Sequence, residues 1–238
     1  MRLARIETSD GPVTGQYQDD VVHTADGTYE AGIDGNLLLA CEPSALYCVG
    51  RNYAETLEQM EYERPEEPDF FIKSPASLRG HRLVDPLSRV ELTYAGELAA
   101  VIDEPYHDLS EDEVSEVVRG YTIMDDVDAL DQQGRTARKA FDGSGPLGPW
   151  IETDIDPTGI DMYTYVNDER RQEANTELVL SDPYEIISYL SKRFTFRPGD
   201  VVAFGSPANP GLIKPGDTIE ITYENIGTLR NPVVGANE

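Results

Sequence analysis

Glu97 is the lone carboxylate in the stretch YAGELAAVI, residues 94–102, whose other side chains are mostly small or apolar. Such a continuous apolar run predicts a buried strand. A carboxylate that is buried without a partner is strongly destabilising. We therefore expect a positively charged group to meet Glu97.

Polar residues that a buried core does not need occur in three other segments. They are GRNY at residues 50–53, directly after an apolar stretch; the acids of DDVDALDQQ at residues 125–133; and Lys139, which precedes the loop AFDGSGPLGPW. Carboxylates from separate segments suit a hard divalent cation such as Mg²⁺ or Ca²⁺. A lysine beside them could hold a developing oxyanion, or act as a base if its pKa were lowered. Any single acid of residues 125–133 is equally compatible with a solvated surface position.

Cysteine and histidine chemistry is not supported by the sequence. Cys41 and Cys48 form no C-x-x-C or zinc-like spacing, and two cysteines are weak evidence for a disulfide. Cys48 lies in the apolar stretch ALYCVG, which predicts a core residue rather than a nucleophile. His23, His81 and His107 are scattered without an H-x-x-x-H or H-E-x-x-H pattern, which excludes a histidine metal site.

The elements that must position these residues are mostly strands. RVELTYAGELAAVID, residues 89–103, predicts one long strand, and MYTYVNDERRQEAN, residues 162–175, predicts a hairpin around Asn167-Asp168. Helices are expected in YAETLEQM, residues 53–60, and in DPYEIISYLSKRF, residues 182–194. Strands that pair through hairpins, without a G-x-G-x-x-G or P-loop motif, favour a β-rich α+β fold.

Two domains are expected from the pattern along the chain. Residues 1–42 alternate apolar and polar positions between Gly and Asp turns, which predicts a small N-terminal β domain. The segment CEPS, residues 41–44, is expected to contain the domain boundary, and residues 43–238 are expected to form the main domain.

The charge of the chain limits its partners. It has 45 acidic and 19 basic residues and a net charge of -26, which disfavours nucleic acid and anionic membranes. The acids are dispersed and lysines are few, a composition typical of proteins from salt-loaded halophile cytoplasm, where molar salt screens the repulsion. No apolar run is long enough for a membrane span, and the start MRLARIETSDGPV lacks the apolar segment of a secretory signal. A cytoplasmic location is therefore expected.

Nine blocks of the chain, in order and at compatible spacing, resemble the fumarylacetoacetate hydrolase family. They include YCVGRNYAE, FFIKSPASL, YAGELAAVI, GYTIMDDVDALDQQ, KAFDGSGPLGPWI, GDVVAFGSPA and NIGTLRNPVV, and they run from about residue 45 to 235. The resemblance implies a mixed β-sandwich roll, a homodimer, and Mg²⁺, Mn²⁺ or Ca²⁺ held by three carboxylates. It also implies a small 2-oxo or 1,3-dicarbonyl acid as substrate, with the metal ion chelating the acid and stabilising an enolate.

The resemblance assigns roles to ten residues of this sequence. Glu97 and Asp126 match metal ligands, and Lys139 matches the catalytic lysine. The residues matched to substrate binding are Arg51, Asn52, Tyr53, Lys73, Gln133, Gly205 and Ser206.

Four positions depart from the family pattern. The strand motif E-x-E, whose two ligands share a face because strand side chains repeat every two residues, has Ala95 at its first position. Leu130 replaces the basic residue of the motif that contains Asp126. Thr56 and Gln59 stand where hydrolytic members often carry a water-activating His and Glu, and neither can act as a general base near neutral pH.

Three hypotheses remain open at this stage. The first is a metal-dependent lyase or isomerase that dehydrates, isomerises or decarboxylates an oxo acid through an enolate, with Asp125 or a water completing the coordination. The second is a hydrolase of C–C bonds whose activated water comes from elsewhere. The third is a catalytically weakened member that acts as a binding or structural protein. The departures at 56, 59, 95 and 130 count against the second and favour the third.

Overall fold

The computed structural model describes residues 1–32, 36–79, 83–85 and 91–235. The described strands are β1 Arg2–Thr8, β2 Gly11–Gln18, β3 Val21–His23, β4 Thr28–Glu30, β5 Leu46–Gly50, β6 Asp69–Lys73, β7 Leu78–Arg79, β8 Leu83–Asp85, β9 Leu92–Thr93, β10 Gly96–Ile102, β11 Val118–Asp125, β12 Asp128–Ala129, β13 Gly145–Glu152, β14 Asp161–Val166, β15 Glu169–Asn175, β16 Val201–Ala203, β17 Leu212–Ile213, β18 Thr218–Tyr223 and β19 Gly227–Gly235. The α-helices are α1 Ala54–Gln59, α2 Val114–Val117, α3 Arg135–Lys139 and α4 Pro183–Ser191.

The described strands form three sheets. The largest has the order β4-β3-β2-β1-β13-β11-β10-β16-β5-β6, and β7 joins it by pairing with β13. A five-stranded sheet has the order β15-β14-β18-β19-β8, and a three-stranded sheet the order β12-β9-β17. Strands with few helices, mostly paired antiparallel, confirm the predicted β-rich α+β class.

Strand β10 lies inside the large sheet, and all of its residues are buried. Leu98, Ala100 and Ile102 pack in the core that also contains side chains of the five-stranded sheet, whereas Ala99 packs in a second core on the other face. Burial on both faces explains why the sequence here is a continuous apolar run rather than an alternating one. By the two-residue period of a strand, Glu97 shares the face of Ala99.

The predicted single strand over residues 89–103 is wrong. Residues 89 and 90 lie outside the described residues, and the rest divides into β9 and β10, which belong to different sheets. Gly96 begins β10 where the backbone passes close to the five-stranded sheet. A Cβ at this position would lie 2.9 Å from both Ile221 Cγ2 and Thr164 Oγ1, so the close passage requires glycine.

Other sequence-based expectations of local structure are confirmed. Strands β14 and β15 pair as the predicted hairpin, and Asn167 and Asp168 make the turn with φ angles of 52° and 66°. Helix α1 lies within the predicted segment, residues 53–60. Cys41 and Cys48 are buried free thiols, as a core position for Cys48 predicts.

The N-terminal strands continue the large sheet. Strand β1 pairs with β13, with Leu3 opposite Ile151, and β2 to β4 extend the sheet outward from β1. A domain boundary after residue 42 stays a prediction. None of the helices in the described part of the chain has the length and apolar character needed to cross a bilayer.

Candidate active site

A cleft of about 530 Å³ opens where the start of β10, the turn after β11 and α3 face α1 and residues 206–212. Glu97 and Asp126 lie deepest among its acidic residues, with 3% and 2% of their surface exposed. Lys139 lines the same cleft. The structure therefore brings together the two predicted metal ligands and the predicted catalytic lysine.

Glu97 is held from one side by the backbone. Its Oε2 accepts a hydrogen bond of 3.0 Å from the N–H of Gly205. Gly205 has a φ of 91°, and a Cβ there would lie 3.0 Å from the Cβ of Asn52 and 3.1 Å from the carbonyl oxygen of Val49. Burial and the charge of Asp126 raise the pKa of Glu97 well above its ordinary value.

Asp126 lies between two lysines. Its Oδ1 is 2.8 Å from Lys73 Nζ, and its Oδ2 is 2.5 Å from Lys139 Nζ. Burial opposes ionisation of Asp126, but the two ammonium groups outweigh it and hold its pKa below the ordinary value. Burial likewise opposes the charge on Lys139, yet Asp126 and Asp128 outweigh it and raise its pKa. Lys139 is therefore a cation that can stabilise an oxyanion, and the alternative of a neutral lysine base is not supported.

The two lysines differ in their surroundings. Lys73 is fully buried and also donates to the carbonyl oxygens of Val127, Ser144 and Lys139, so it anchors the turn that carries Asp126. The side chain of Lys139 keeps 18% of its surface exposed, on the cleft side. Lys73 supports the site from behind, whereas Lys139 faces the open cleft.

Helix α3 presents three cations to the cleft. Arg135, Arg138 and Lys139 follow i, i+3 and i+4 spacing, which places them on one helix face. Arg138 pairs with Asp128 through contacts of 2.8 and 2.6 Å, and Arg135 pairs with Asp69 at 2.8 and 2.9 Å. Lys139 also lies 3.4 Å from Asp128, so the cations and carboxylates of the cleft wall form a connected network.

Arg51 lies at the rim of the cleft in a strained conformation. Its φ of 58° is uncommon for a residue other than glycine, and such conformations occur at functional sites. Its guanidinium lies 4.5 Å from the ring centre of Tyr62 and 3.5 Å from Asp69. Ser206 lines the opposite side, where its hydroxyl accepts a hydrogen bond of 3.1 Å from Gln172.

The donor set for a divalent cation consists of Glu97 and Asp126. Position 95 also lines the cleft but carries alanine. Asp125 does not line the cleft, and its Oδ1 accepts a hydrogen bond from the N–H of Ala95. In residues 1–32, 36–79, 83–85 and 91–235, no group of three or more His, Cys, Asp or Glu side chains is arranged to hold a metal ion. Two carboxylates do not enclose a cation, but they fit Mg²⁺, which keeps several waters and takes further oxygens from its ligand.

Five predicted substrate-binding residues do not line the cleft. The side-chain amide of Asn52 bonds to the backbone. Its Nδ2 donates to the carbonyl oxygens of Ser181 and Phe204, and its Oδ1 accepts from the N–H of Ser181. Tyr53 is buried in the main core, and Gln133 is exposed outside the cleft. Lys73 and Gly205 contact Asp126 and Glu97 from behind, and so support the site without lining the cleft.

Thr56 and Gln59 fix the far wall of the cleft. Thr56 Oγ1 donates to the carbonyl oxygen of Ser206 at 3.1 Å. The amide of Gln59 makes two hydrogen bonds with Asn209, of 3.0 and 2.8 Å. These side chains tie α1 to residues 206–212, and they provide no base to activate water.

Sequence reasoning identified Arg51 but missed two other arginines of the cleft and its apolar rim. Arg135 and Arg138 were detectable, because their spacing with Lys139 predicts one face of a helix. Met60 and Tyr62 lie far from Leu212 in the chain, and no local sequence pattern predicts that they line the same cleft.

Comparisons with known proteins agree with this architecture. Residues 45–234 match the model of the fumarylacetoacetate (FAA) hydrolase C-terminal domain. A 5-carboxymethyl-2-hydroxymuconate delta-isomerase from Mycobacterium smegmatis superposes with a TM-score of 0.90 at 34% identity, covering 99% of this chain and all of that one. This similarity confirms the predicted fold.

Two further relatives widen the range of chemistry. A 4-hydroxyphenylacetate degradation bifunctional isomerase/decarboxylase from Salmonella dublin is 36% identical over 200 residues, which are 79% of this chain and 46% of that protein. A maleylpyruvate hydrolase from Sphingobium sp. SYK-6, in complex with manganese (II) ion and pyruvate, has a TM-score of 0.83 at 26% identity and covers 99% of both chains. The relatives are thus enzymes of more than one reaction class.

Proposed function

The chain belongs to the fumarylacetoacetate hydrolase family, and on this basis we propose that it is an enzyme acting on a small 2-oxo or 1,3-dicarbonyl acid. The observation that carries the proposal is the Lys139 ammonium, held at the cleft side of Asp126 and 2.5 Å from it, in the same cleft as Glu97. A fixed cation next to a bound oxo group stabilises the negative charge that develops on its oxygen.

The proposed reaction is isomerisation, dehydration or decarboxylation through an enolate. Each of these needs charge stabilisation on the oxo oxygen, which Lys139 is placed to supply, and none needs an activated water as nucleophile. C–C hydrolysis does need such a water, and Thr56 and Gln59 are committed to hydrogen bonds with residues 206–212. The relatives described as isomerase and isomerase/decarboxylase fit this preference.

Glu97 and Asp126 would hold a divalent cation, Mg²⁺ or alternatively Mn²⁺ or Ca²⁺. Such an ion supplies Lewis-acid polarisation of the chelated oxo group. The manganese and pyruvate in the Sphingobium relative support this part of the proposal. Because position 95 carries alanine, we expect ligand oxygens and water to provide most of the coordination.

Charge balance in the cleft also supports an anionic ligand. Four basic side chains, Arg51, Arg135, Arg138 and Lys139, and four acidic ones line it among the described residues. The whole chain has 45 acidic and 19 basic residues. The cleft is therefore far less negative than the chain as a whole, which favours the approach of an oxo acid.

Metal binding is the first experiment. Calorimetry in molar salt would titrate Mn²⁺ into the protein with and without oxalate, a chelating analogue of an oxo-acid enolate. We expect binding that oxalate strengthens, a large loss in Glu97→Gln, and no change in Asp131→Ala, which removes an exposed carboxylate outside the cleft. Binding that is the same in Glu97→Gln and the wild type would contradict the assignment of Glu97.

Turnover is the second experiment, and it separates the enzyme from a second candidate, a weakened member that only binds oxo acids. The alanine at position 95 favours that candidate, since it leaves two carboxylates for the cation. Oxaloacetate, acylpyruvates and 2-oxo-3-deoxy sugar acids would be followed by absorbance in the presence of Mn²⁺. Turnover lost in Lys139→Met and kept in Lys192→Met supports the enzyme, and binding without turnover supports the weakened member. No binding of either metal or oxo acid would overturn both.

A further inference from the structure

Most of the large exposed apolar side chains among the described residues gather around one opening. In the part of the chain that the structure describes, seven large apolar residues are well exposed. Four of them line the mouth of the cleft: Met60, Tyr62, Leu130 and Leu212. Their exposed fractions lie between 42% and 62%, whereas Glu97 and Asp126 at the floor are almost fully buried.

The four mouth residues come from three separate parts of the chain. Met60 and Tyr62 follow α1, Leu130 follows β12, and Leu212 begins β17. Scattered single apolar residues on a surface need no explanation, but apolar residues brought together around a concave site mark a binding surface. The fold exposes these side chains at the same opening although it buries most of its other large apolar residues.

Phe71 connects the charged floor with the apolar mouth. It lines the cleft, and its ring centre lies 5.5 Å from the Lys139 ammonium and 5.5 Å from the Arg135 guanidinium. A ligand that reaches from Lys139 to the mouth therefore passes from a charged region to an apolar one.

Two arginines of the cleft wall share one carboxylate partner. Arg51 and Arg135 both contact Asp69, at 3.5 Å and 2.8 Å. A second carboxylate on the outer arm of the ligand would have to compete with Asp69 for these groups. An apolar arm needs no charged partner, and it removes exposed surface of Leu130 and Leu212 from water. The mouth therefore favours an apolar arm over a carboxylate.

We propose that the substrate is an oxo acid whose outer arm is an apolar group, aryl or branched alkyl, rather than a second carboxylate or a hydroxylated chain. This inference rests on the proposed function, because it takes the oxo-acid end to lie beside Lys139, Glu97 and Asp126. The apolar arm occupies the mouth, between Leu130 and Leu212.

The experiment compares ligands that differ only in the arm. Binding of pyruvate, phenylpyruvate and 2-oxoglutarate would be measured by calorimetry in molar salt with Mn²⁺ present. We expect phenylpyruvate to bind about tenfold or more tightly than 2-oxoglutarate, because the aryl group removes apolar surface from water at the mouth. Pyruvate, which has no arm, gives the affinity of the oxo-acid end alone.

Variants of the mouth make the test specific. The double variant Leu130→Ser with Leu212→Ser is expected to weaken phenylpyruvate about tenfold and to leave pyruvate unchanged. Leu178→Ser is the matched control, because Leu178 is 58% exposed and does not line the cleft. It is expected to bind all three acids as the wild type does.

The outcomes separate this inference from the function on which it rests. Pyruvate binding without any preference for phenylpyruvate, or a double variant that behaves like Leu178→Ser, overturns the apolar arm and leaves the proposed function standing. A double variant that changes the sedimentation coefficient but not the ligand preference assigns the mouth to contact between two copies of the chain, which also overturns it. Failure of all three acids to bind removes the proposed function and this inference together.

Discussion

Asp126 and Asp200 are both buried aspartates, but the protein satisfies them in different ways. Asp200 is 1% exposed, and its carboxylate accepts hydrogen bonds from the N–H groups of Ser44, Ala45 and Arg197 and from the Ser44 hydroxyl. Asp126 is equally buried, yet its partners are the ammonium groups of two lysines at the floor of a cleft.

The difference separates a structural carboxylate from one that is available for chemistry. The donors around Asp200 are mostly backbone groups, which connect the segment before β5 to the start of β16 and lie outside the cleft. Around Asp126, Lys139 has a flexible side chain that faces the cleft and can change partners when a ligand binds. Substitutions at these two places should therefore affect stability and activity in different proportions.

The largest effect on stability is expected at Asp200. Asp200→Ala removes four hydrogen bonds to a buried carboxylate, each worth about 1 kcal/mol, so the free energy of unfolding should fall by about 4 kcal/mol. Chemical denaturation in molar salt measures this change. Asp103→Ala is the control, because Asp103 lies in an exposed pair with Arg119 and should cost less than about 1 kcal/mol. Equal losses in the two variants would mean that Asp200 is not the structural anchor that its hydrogen bonds indicate.

The next effect is expected at Lys73, the buried partner of Asp126. Lys73→Met removes one of two cations from a buried carboxylate, together with hydrogen bonds to the carbonyl oxygens of Val127 and Ser144. The free energy of unfolding should therefore fall by about 3 kcal/mol. Chemical denaturation and near-UV circular dichroism would measure this loss of stability. Lys214→Met, at an exposed lysine, should be nearly neutral. A fully stable Lys73→Met would show that Lys139 alone can balance the charge of Asp126.

A smaller effect on stability and a larger one on turnover are expected at Lys139. Lys139→Met should lower the free energy of unfolding by only about 1 kcal/mol, because Lys73 still pairs with Asp126 and the Lys139 side chain is partly solvated. Turnover of the oxo acid should fall by about 10²- to 10³-fold, the usual loss on removing one group that stabilises an oxyanion. Lys192→Met controls for loss of a lysine at the surface. An unchanged rate in Lys139→Met would assign oxyanion stabilisation to another group.

Much of the site follows from the sequence, but the roles of its neighbours do not. Glu97 was recognisable because a carboxylate in a buried strand needs a partner, whereas Asp126 was assigned from the family resemblance. The structure places both in one cleft with Lys139. Asn52 was expected to touch substrate, yet its partners are backbone groups of Ser181 and Phe204, more than 120 residues away. A side-chain type indicates which bonds are possible, whereas the tertiary fold decides which partner comes within reach.

The same limit explains the error at β9 and β10. The apolar pattern continues through Tyr94 and Ala95, so the sequence predicts one strand, but residues before Tyr94 pair with β12 and β17 instead. Periodicity detects extended backbone, and it does not reveal the sheet to which each part belongs. The change of sheet is what turns Ala95 and Glu97 toward the cleft floor.

The smallest effect on stability, and the sharpest test of the open site, is expected at Ala95. Ala95→Glu adds a third carboxylate beside Glu97 and Asp126, and without metal this repulsion should lower the free energy of unfolding by up to about 1 kcal/mol. With Mn²⁺ at about 100 times the dissociation constant of this variant, binding should contribute about 2.7 kcal/mol. The same Mn²⁺ concentration should raise the melting temperature of the wild type less, because its site has one carboxylate fewer. Ala54→Glu, which adds the same charge on α1 outside the cleft, should show no added response to Mn²⁺. If Ala95→Glu gains nothing from Mn²⁺, then the Asp126 carboxylate remains committed to its lysines, and it belongs with Asp200 among the structural acids of the protein.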